Sequence, residues 1–285
     1  MPKIRSMFTS FVPRRYLPLV KRQVRLFDRF RGKLTARNLH GVVLMLHVGR
    51  CGSTVLANLL TQNPKMFWDG KIPRKSQQLY GKGITDFDYA DWTKAQFVIS
   101  GDRFYGFEFK ILSDQYPAIF DTTTSEFLNK CRRIGVTHYI LLTRRNTLRH
   151  VVSHYASQYR GNWHADTTQQ VKKKDFALDI NAVTTGQAPG RPLVDYMREV
   201  DAAHAEVRAL LADENVLEIE YERDIDEAGA ESAYERICEF LGITPGDVQI
   251  RNRKMNPYPL DSILVNYEDV ERALENTEFS WMSKG

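Results

Sequence analysis

Beyond Gly41, hydrophobic and polar positions alternate between strand-like and helix-like patterns. Val42 to Val48 is apolar except for His47 and runs into Gly49, as expected of a strand buried on both faces. Ser53 to Leu60 then reads as a helix capped by Ser53 or a neighbour and limited by Pro64. Residues 65–103 show weak periodicity and read as loops and short helices. From Phe104 to Leu112 a period of two returns, with Phe107, Phe109 and Ile111 on one face and Glu108 and Lys110 on the other. Thr124 to Arg133 reads as a helix, Thr137 to Thr143 as a second buried strand, and Asn146 to Tyr159 as a helix with Leu148, Val151, Val152 and Tyr155 on one stripe. Pro192 to Leu211 is a long helix, Val216 to Tyr221 a strand, Ala233 to Leu241 a helix stopped by Gly242, and Tyr267 to Leu274 a short helix in an irregular tail. The polar stretch 161–190, with Gly161, Gly186, Gly190 and a Lys172–Lys174 run, reads as an insertion or lid. Strands alternating with helices predict a single doubly wound α/β domain over residues 41–285, with a mostly parallel sheet and a P-loop-like phosphate turn.

Charge divides the chain more sharply than composition does. Residues 1–40 hold 11 Lys/Arg and one acid, Asp28, a net of +10; residues 41–285 hold 29 basic and 34 acidic residues, a net of −5. The overall +5 therefore makes no case for nucleic-acid binding. The basic leader has helical spacing, with Val20, Val24, Phe27 and Phe30 on one side and Lys21, Arg22, Arg25 and Arg29 elsewhere. Residues 15–33 thus suit either an anionic membrane surface or a covering contact on the domain or a subunit neighbour. Three cysteines, Cys51, Cys131 and Cys238, make no disulfide framework and fit a reducing compartment. With no apolar run long enough to span a bilayer, a cytoplasmic protein, peripheral at most, is expected. No Cys/His cluster has metal-ligand spacing.

Two strand ends carry phosphate-binding chemistry. At the first, His47-Val48-Gly49-Arg50-Cys51-Gly52-Ser53-Thr54 takes a buried strand through a glycine turn into a helix. Such a junction aims backbone N–H groups and the positive end of a helix at one point; Arg50 adds charge, and Ser53 and Thr54 add hydroxyls. A nucleoside triphosphate loop of the Walker type would need four residues between its glycines and a following Lys; here two residues intervene and no Lys precedes Ser53. At the second, the strand ends in Arg144-Arg145-Asn146 and the next helix carries Ser153, eight residues after Arg145. A guanidinium and a hydroxyl so placed suit a terminal phosphate monoester.

These motifs resemble those of sulfotransferases that use 3′-phosphoadenosine 5′-phosphosulfate (PAPS). Gly49-Arg50-Cys51-Gly52-Ser53-Thr54 looks like their 5′-phosphosulfate loop, and Arg145-Asn146 with Ser153 looks like their 3′-phosphate element. Tyr221-Glu222-Arg223-Asp224 and Arg236 to Gly242 are similar to a later strand end and helix of the family. Asn256-Pro257, Pro259-Leu260, Asn266-Tyr267-Glu268 and Thr277-Glu278-Phe279 resemble the tail of bacterial carbohydrate sulfotransferases, the trehalose-sulfating type among them. The resemblance implies that Arg50, Gly52, Ser53 and Thr54 hold the 5′ end of PAPS, with Cys51 giving its backbone N–H. It also implies that Arg145 and Ser153 hold the 3′-phosphate, that Tyr221 and Lys254 flank the nucleotide, and that no metal is required.

Sulfuryl transfer needs a cation at the bridging oxygen and a base for the acceptor. Arg50 is the first choice for the charge and Lys110 the second. For the base, many members of the family carry His two residues after that Lys, where this chain has Leu112, and carbohydrate-type members carry Gly-Glu where it has Gly70-Lys71. Asp69 is the preferred substitute, then Glu108, with Asp114 and His164 as outsiders. Aromatic residues crowd 65–103 (Phe67, Trp68, Tyr80, Phe87, Tyr89, Trp92, Phe97), which suits a saccharide or glycolipid acceptor but also an ordinary core. A small alcohol, phenol or amine acceptor, a P-loop kinase, and a non-catalytic nucleotide-binding protein remain the alternatives.

Overall fold

Five strands form one parallel sheet in the order β2-β3-β1-β4-β5: β1 Gly41–His47, β2 Met66–Lys71, β3 Phe104–Lys110, β4 His138–Thr143 and β5 Val216–Glu220. The computed structural model describes residues 40–71, 100–161, 163, 171, 173–186 and 188–284. The basic leader with its 15–33 contact surface, Lys172, the outsider His164, and the aromatic residues from Tyr80 to Phe97 lie outside the described residues.

β1 is central because it is apolar from Val42 to Leu46; every residue of it, His47 included, is buried, with Met45 opposite Glu108 on β3 and Ile140 on β4. Side chains alternate between two cores. Val42, Leu44, Leu46, Tyr105, Phe107, Phe109, Tyr139 and Leu141 face one layer. That layer holds α3 (Thr124–Ile134), α4 (Thr147–Arg160), α5 (Leu193–Leu210) and the tail helix α8 (Tyr267–Leu274). Val43, Met45, Ile140, Leu142 and Ile219 face the other, which holds α1 (Ser53–Gln62) and α6 (Ala230–Phe240). Helices on both faces of a parallel sheet make the doubly wound α/β architecture expected from the pattern.

Most elements fall where the periodicity predicts, and the differences have physical reasons. β2 was expected to be loop. Its run Met66-Phe67-Trp68-Asp69-Gly70-Lys71 shows no clean alternation, because a bulge between Trp68 and Gly70 shifts its register against β3. Glu108 was expected on a polar face, but β3 is covered on both sides and Glu108 is buried. α1 has no side-chain cap; its N-cap is Gly52 at φ +87°. Two short helices, α2 (Tyr116–Phe120) and α7 (Leu260–Ile263), had no sequence signal. The strand ending at Glu220 runs into a π-helical segment, Tyr221–Glu227. The stretch read as an insertion or lid is tied down in its described part. Phe176, Leu178 and Val183 are buried, and the Asn266 side chain bonds both the N–H and the carbonyl of Leu178. No helix among the described residues is long and apolar enough to cross a membrane.

Because all strands run the same way, their carboxyl ends deliver His47, Lys110, Thr143 and Glu220 to one edge of the sheet. The chain leaves β1 toward β2 and leaves its neighbour β4 toward β5, in the opposite direction. Between such strands a crevice opens, where ligands of open α/β sheets bind.

The β2–β3 contact gives a direct test of the packing. A Cβ on Gly106 would overlap the six-membered ring of Trp68. Gly106→Ala should therefore cost about 1–3 kcal/mol of stability, the usual cost of overpacking. Urea denaturation should show the midpoint lowered with an unchanged slope.

Candidate functional site

The turn after β1 is built around His47. Its Nδ1 accepts the Gly49 N–H at 2.9 Å, so its Nε2 carries the hydrogen given to Glu108 at 3.2 Å. Glu108 also accepts the Trp68 indole N–H at 3.2 Å. The carboxylate considered as a base is thus a buried anchor for the turn. Gly49, Arg50 and Gly52 adopt left-handed backbone at φ +93°, +49° and +87°. At Gly52 a side chain would also meet Ile225 Cδ1 at 2.7 Å. The uncapped start of α1, with Ser53 and Thr54, opens onto a cavity of about 1000 Å³.

Arginines from the second strand end complete the turn. Arg144 donates to the Arg50 carbonyl at 2.8 Å, stacks over the Tyr221 ring at 4.4 Å and lies 3.6 Å from Glu222. Arg50 donates Nε and Nη2 to Ser153 Oγ at 3.1 and 3.0 Å and Nη1 to the Trp163 carbonyl at 2.9 Å. Burial, then the nearby Arg144 and Arg160, lowers the Arg50 pKa to about 10, so the guanidinium stays charged at neutral pH.

The second phosphate element differs from expectation. Arg145 is exposed and its guanidinium stacks 5.4 Å from the Trp281 ring, away from the cavity. The reason is Glu222, whose carboxylate accepts the backbone N–H groups of Arg145 and Asn146 at 2.8 and 3.1 Å. That carboxylate takes the start of α4, where an anion was expected. The cavity wall is instead the flank of α4: Arg149, His150, Ser153 and His154, with Arg144 beside them.

The remaining expected residues divide clearly. Arg50, Gly52, Ser53, Thr54, Lys110, Ser153, Tyr221 and Lys254 all line the cavity. Lys110 packs against the turn, its Nζ 3.2 Å from where a Gly49 side chain would begin. Lys254 is paired with Asp226 at 2.7 Å. Cys51 is buried in the core beneath α1, and burial raises its thiol pKa to about 11, so only its backbone could serve a ligand. Asp69 is buried on the edge strand, accepts the Tyr105 hydroxyl at 2.7 Å and does not line the cavity. Asp114 is buried and accepts from Arg191 at 3.2 Å.

Several cavity residues were not singled out from the sequence. His150 and His154 stand at i and i+4 on the same helix face as Ser153, a spacing visible in the chain that reads equally well as a packing stripe. His150 is buried with no hydrogen-bond partner for Nε2, and burial holds its pKa well below the usual value. Burial, then Lys110 and Arg50, lowers the His154 pKa to about 4. Gln115 donates to the Val48 carbonyl at 3.0 Å, while its Oε1 has no partner. Among the described lining residues there are six Arg/Lys (Arg50, Lys110, Arg144, Arg149, Arg253 and Lys254) and one carboxylate, Asp226. Among the described residues, no group of three His, Cys, Asp or Glu is placed to hold a metal ion. No protein-family model matches the chain, and a search of curated proteins finds no match.

Two measurements check these environments. Cys51, Cys131 and Cys238 are all buried, so a disulfide reagent at pH 8 should label none of them in the native protein and all three in urea. The second concerns pH. His150, His154 and the buried His204 of α5, whose pKa burial also lowers to about 4, bind fewer protons folded than unfolded. Between the unfolded value near 6.5 and about 4, stability therefore rises with pH and is lost as pH falls. The urea midpoint should drop from pH 7.5 to pH 5; a flat profile would contradict neutral burial.

Proposed function

We propose that the protein is a sulfotransferase that moves a sulfuryl group from PAPS to a hydroxyl of a carbohydrate or glycolipid. The observation that carries this reading is the concentration of positive charge. A body of net charge −5 gathers six cationic side chains against one carboxylate around one cavity at the carboxyl ends of adjacent strands. That donor set suits a small ligand with several anionic groups, and the uncapped α1 start adds backbone N–H groups to it.

In this reading Gly52, Ser53 and Thr54 face the 5′-phosphosulfate, with Cys51 contributing only backbone. Arg144, Arg149 and Ser153 face the 3′-phosphate. Arg50 stands between the two, and Arg50 with Lys110 stabilises charge on the bridging oxygen as the S–O bond breaks. Tyr221 and Lys254 wall the nucleotide. The lining also includes the polar Gln115, His150 and Thr185, and its one carboxylate among the described residues, Asp226, is paired with Lys254, which supports an uncharged hydroxyl-bearing acceptor.

The product nucleotide 3′,5′-ADP (PAP) tests the assignment without knowledge of the acceptor. PAP should raise the thermal midpoint more than ATP–Mg does; the reverse order would favour a kinase. Arg144→Ala should weaken PAP binding at least tenfold, since hydrogen bonds to charged groups contribute about 1.5–3 kcal/mol. Arg145→Ala should change it less than twofold. Labelled PAPS with a panel of sugars, glycolipids, small alcohols and phenols then identifies the acceptor.

A further inference from the structure

The carboxylates considered for proton removal are already held in other work. Asp69 is bonded by Tyr105 and Glu108 by His47 and Trp68, both off the cavity. Asp114 is bonded by Arg191. Asp226, the one carboxylate among the described lining residues, accepts two bonds from Lys254 at 2.8 and 2.7 Å. A base must come from elsewhere, and α4 presents two imidazoles to the same cavity.

We infer that His154 is the proton acceptor for the acceptor hydroxyl. This rests on the sulfotransferase reading. Three features single out His154. It lines the same cavity as Lys110 at the end of β3 and Arg50 in the turn after β1, the two cations assigned to the leaving oxygen, and both act on its charge. It is held edge-on by aromatic neighbours, Trp163 at 5.0 Å and Tyr155 at 5.6 Å, which leave its ring nitrogens without a hydrogen-bond partner among the described residues. It is also partly exposed, whereas His150 is fully buried one turn earlier, so only His154 can release a proton to water.

In the transfer step the acceptor oxygen forms a bond to sulfur as the bond from sulfur to the bridging phosphate oxygen breaks. The electron pair of the broken bond stays on that oxygen, beside Arg50 and Lys110. The hydroxyl proton passes to the lone pair of neutral His154 and leaves to solvent once product departs. Burial, then the charges of Lys110 and Arg50, keeps the ring neutral in the free protein, with the neutral His150 one turn away on α4. A bound polyanion offsets Lys110 and Arg50, which raises the basicity of the ring when the base is needed.

Two readouts on the chain of residues 1–285 test this. The first is a histidine NMR titration with and without PAP, with His154 assigned by its loss in His154→Gln. Its pKa should lie near 4 alone and at least one unit higher with PAP; no change on binding would overturn the inference. The second is turnover of labelled PAPS, to water as well as to the acceptor panel. His154→Gln should lower kcat at least 100-fold, with PAP affinity within twofold and the acidic limb of the pH profile lost. Imidazole should restore activity to His154→Ala, a rescue that a packing role would not give. A variant that keeps more than a tenth of the activity and the same acidic limb overturns the inference alone, as does bound PAP with neither transfer nor hydrolysis in the wild type. Failure of the wild type to bind PAP overturns the sulfotransferase reading itself.

Discussion

Arg144 joins the two halves of the site. One hydrogen bond from its guanidinium to the Arg50 carbonyl ties the turn after β1 to the end of β4, and the Tyr221 ring beneath it ties both to the end of β5. Three parallel strands thus meet through one planar cation. A lysine would not do this, because the fork and the flat face of guanidinium are both used. The arrangement gathers positive charge where the strands end, and like charges so close repel. Glu222 at 3.6 Å from Arg144, and Asp226 on Lys254, hold the cluster together at the rim while the middle remains cationic.

The same field shapes the histidines. An imidazole in the α4 wall is desolvated and sits among Arg50, Lys110 and Arg144, so protonating it adds charge where charge is already costly. His150 and His154 are therefore neutral across the physiological range, and an anion in the cavity changes that balance directly. Turn-anchoring groups and cavity-lining groups are separated by depth. His47 and Glu108 are buried behind the turn and fix its backbone, whereas Arg50, Lys110 and His154 stand at the cavity surface.

Strong periodicity made the sheet legible: β1, β4 and β5 and their following helices lie within a few residues of their expected bounds. β2 was hidden because Asp69-Gly70 looks like a turn, and in the fold it is the bulge of an edge strand. The turn after β1 was legible as a strand-to-helix junction because glycine spacing and a switch of periodicity are local properties. At the end of β4 the arginine that lines the cavity was legible only to within one residue. Spacing cannot decide which of two adjacent arginines faces inward; that depends on Glu222, seventy-seven positions after Arg145, and on Trp281 in the tail. The surroundings of the candidate carboxylates were illegible for a related reason. Asp69 and Glu108 have the right chemistry, but their availability depends on Tyr105, Trp68 and His47, contacts that form across strands.

The turn itself carries a cost that bears on its role. Arg50 is a non-glycine residue at φ +49°, a conformation disfavoured by roughly 1–2 kcal/mol for residues with a side chain. Packing alone would favour glycine there, as at Gly49 and Gly52 on either side. The strained backbone is held from three directions: the Arg144 bond to its carbonyl, the Ser153 hydroxyl on its guanidinium, and the Trp163 carbonyl beyond. Each of these contacts also lies on the cavity wall, so the restraints that offset the strain belong to the site and not to the core. A guanidinium kept in such a backbone, partly buried beside two other arginines, is destabilising in isolation and becomes favourable when an anion shares the cavity. On the sulfotransferase reading, the local stability of this edge of the sheet and the affinity for a multiply charged ligand are two expressions of one electrostatic arrangement.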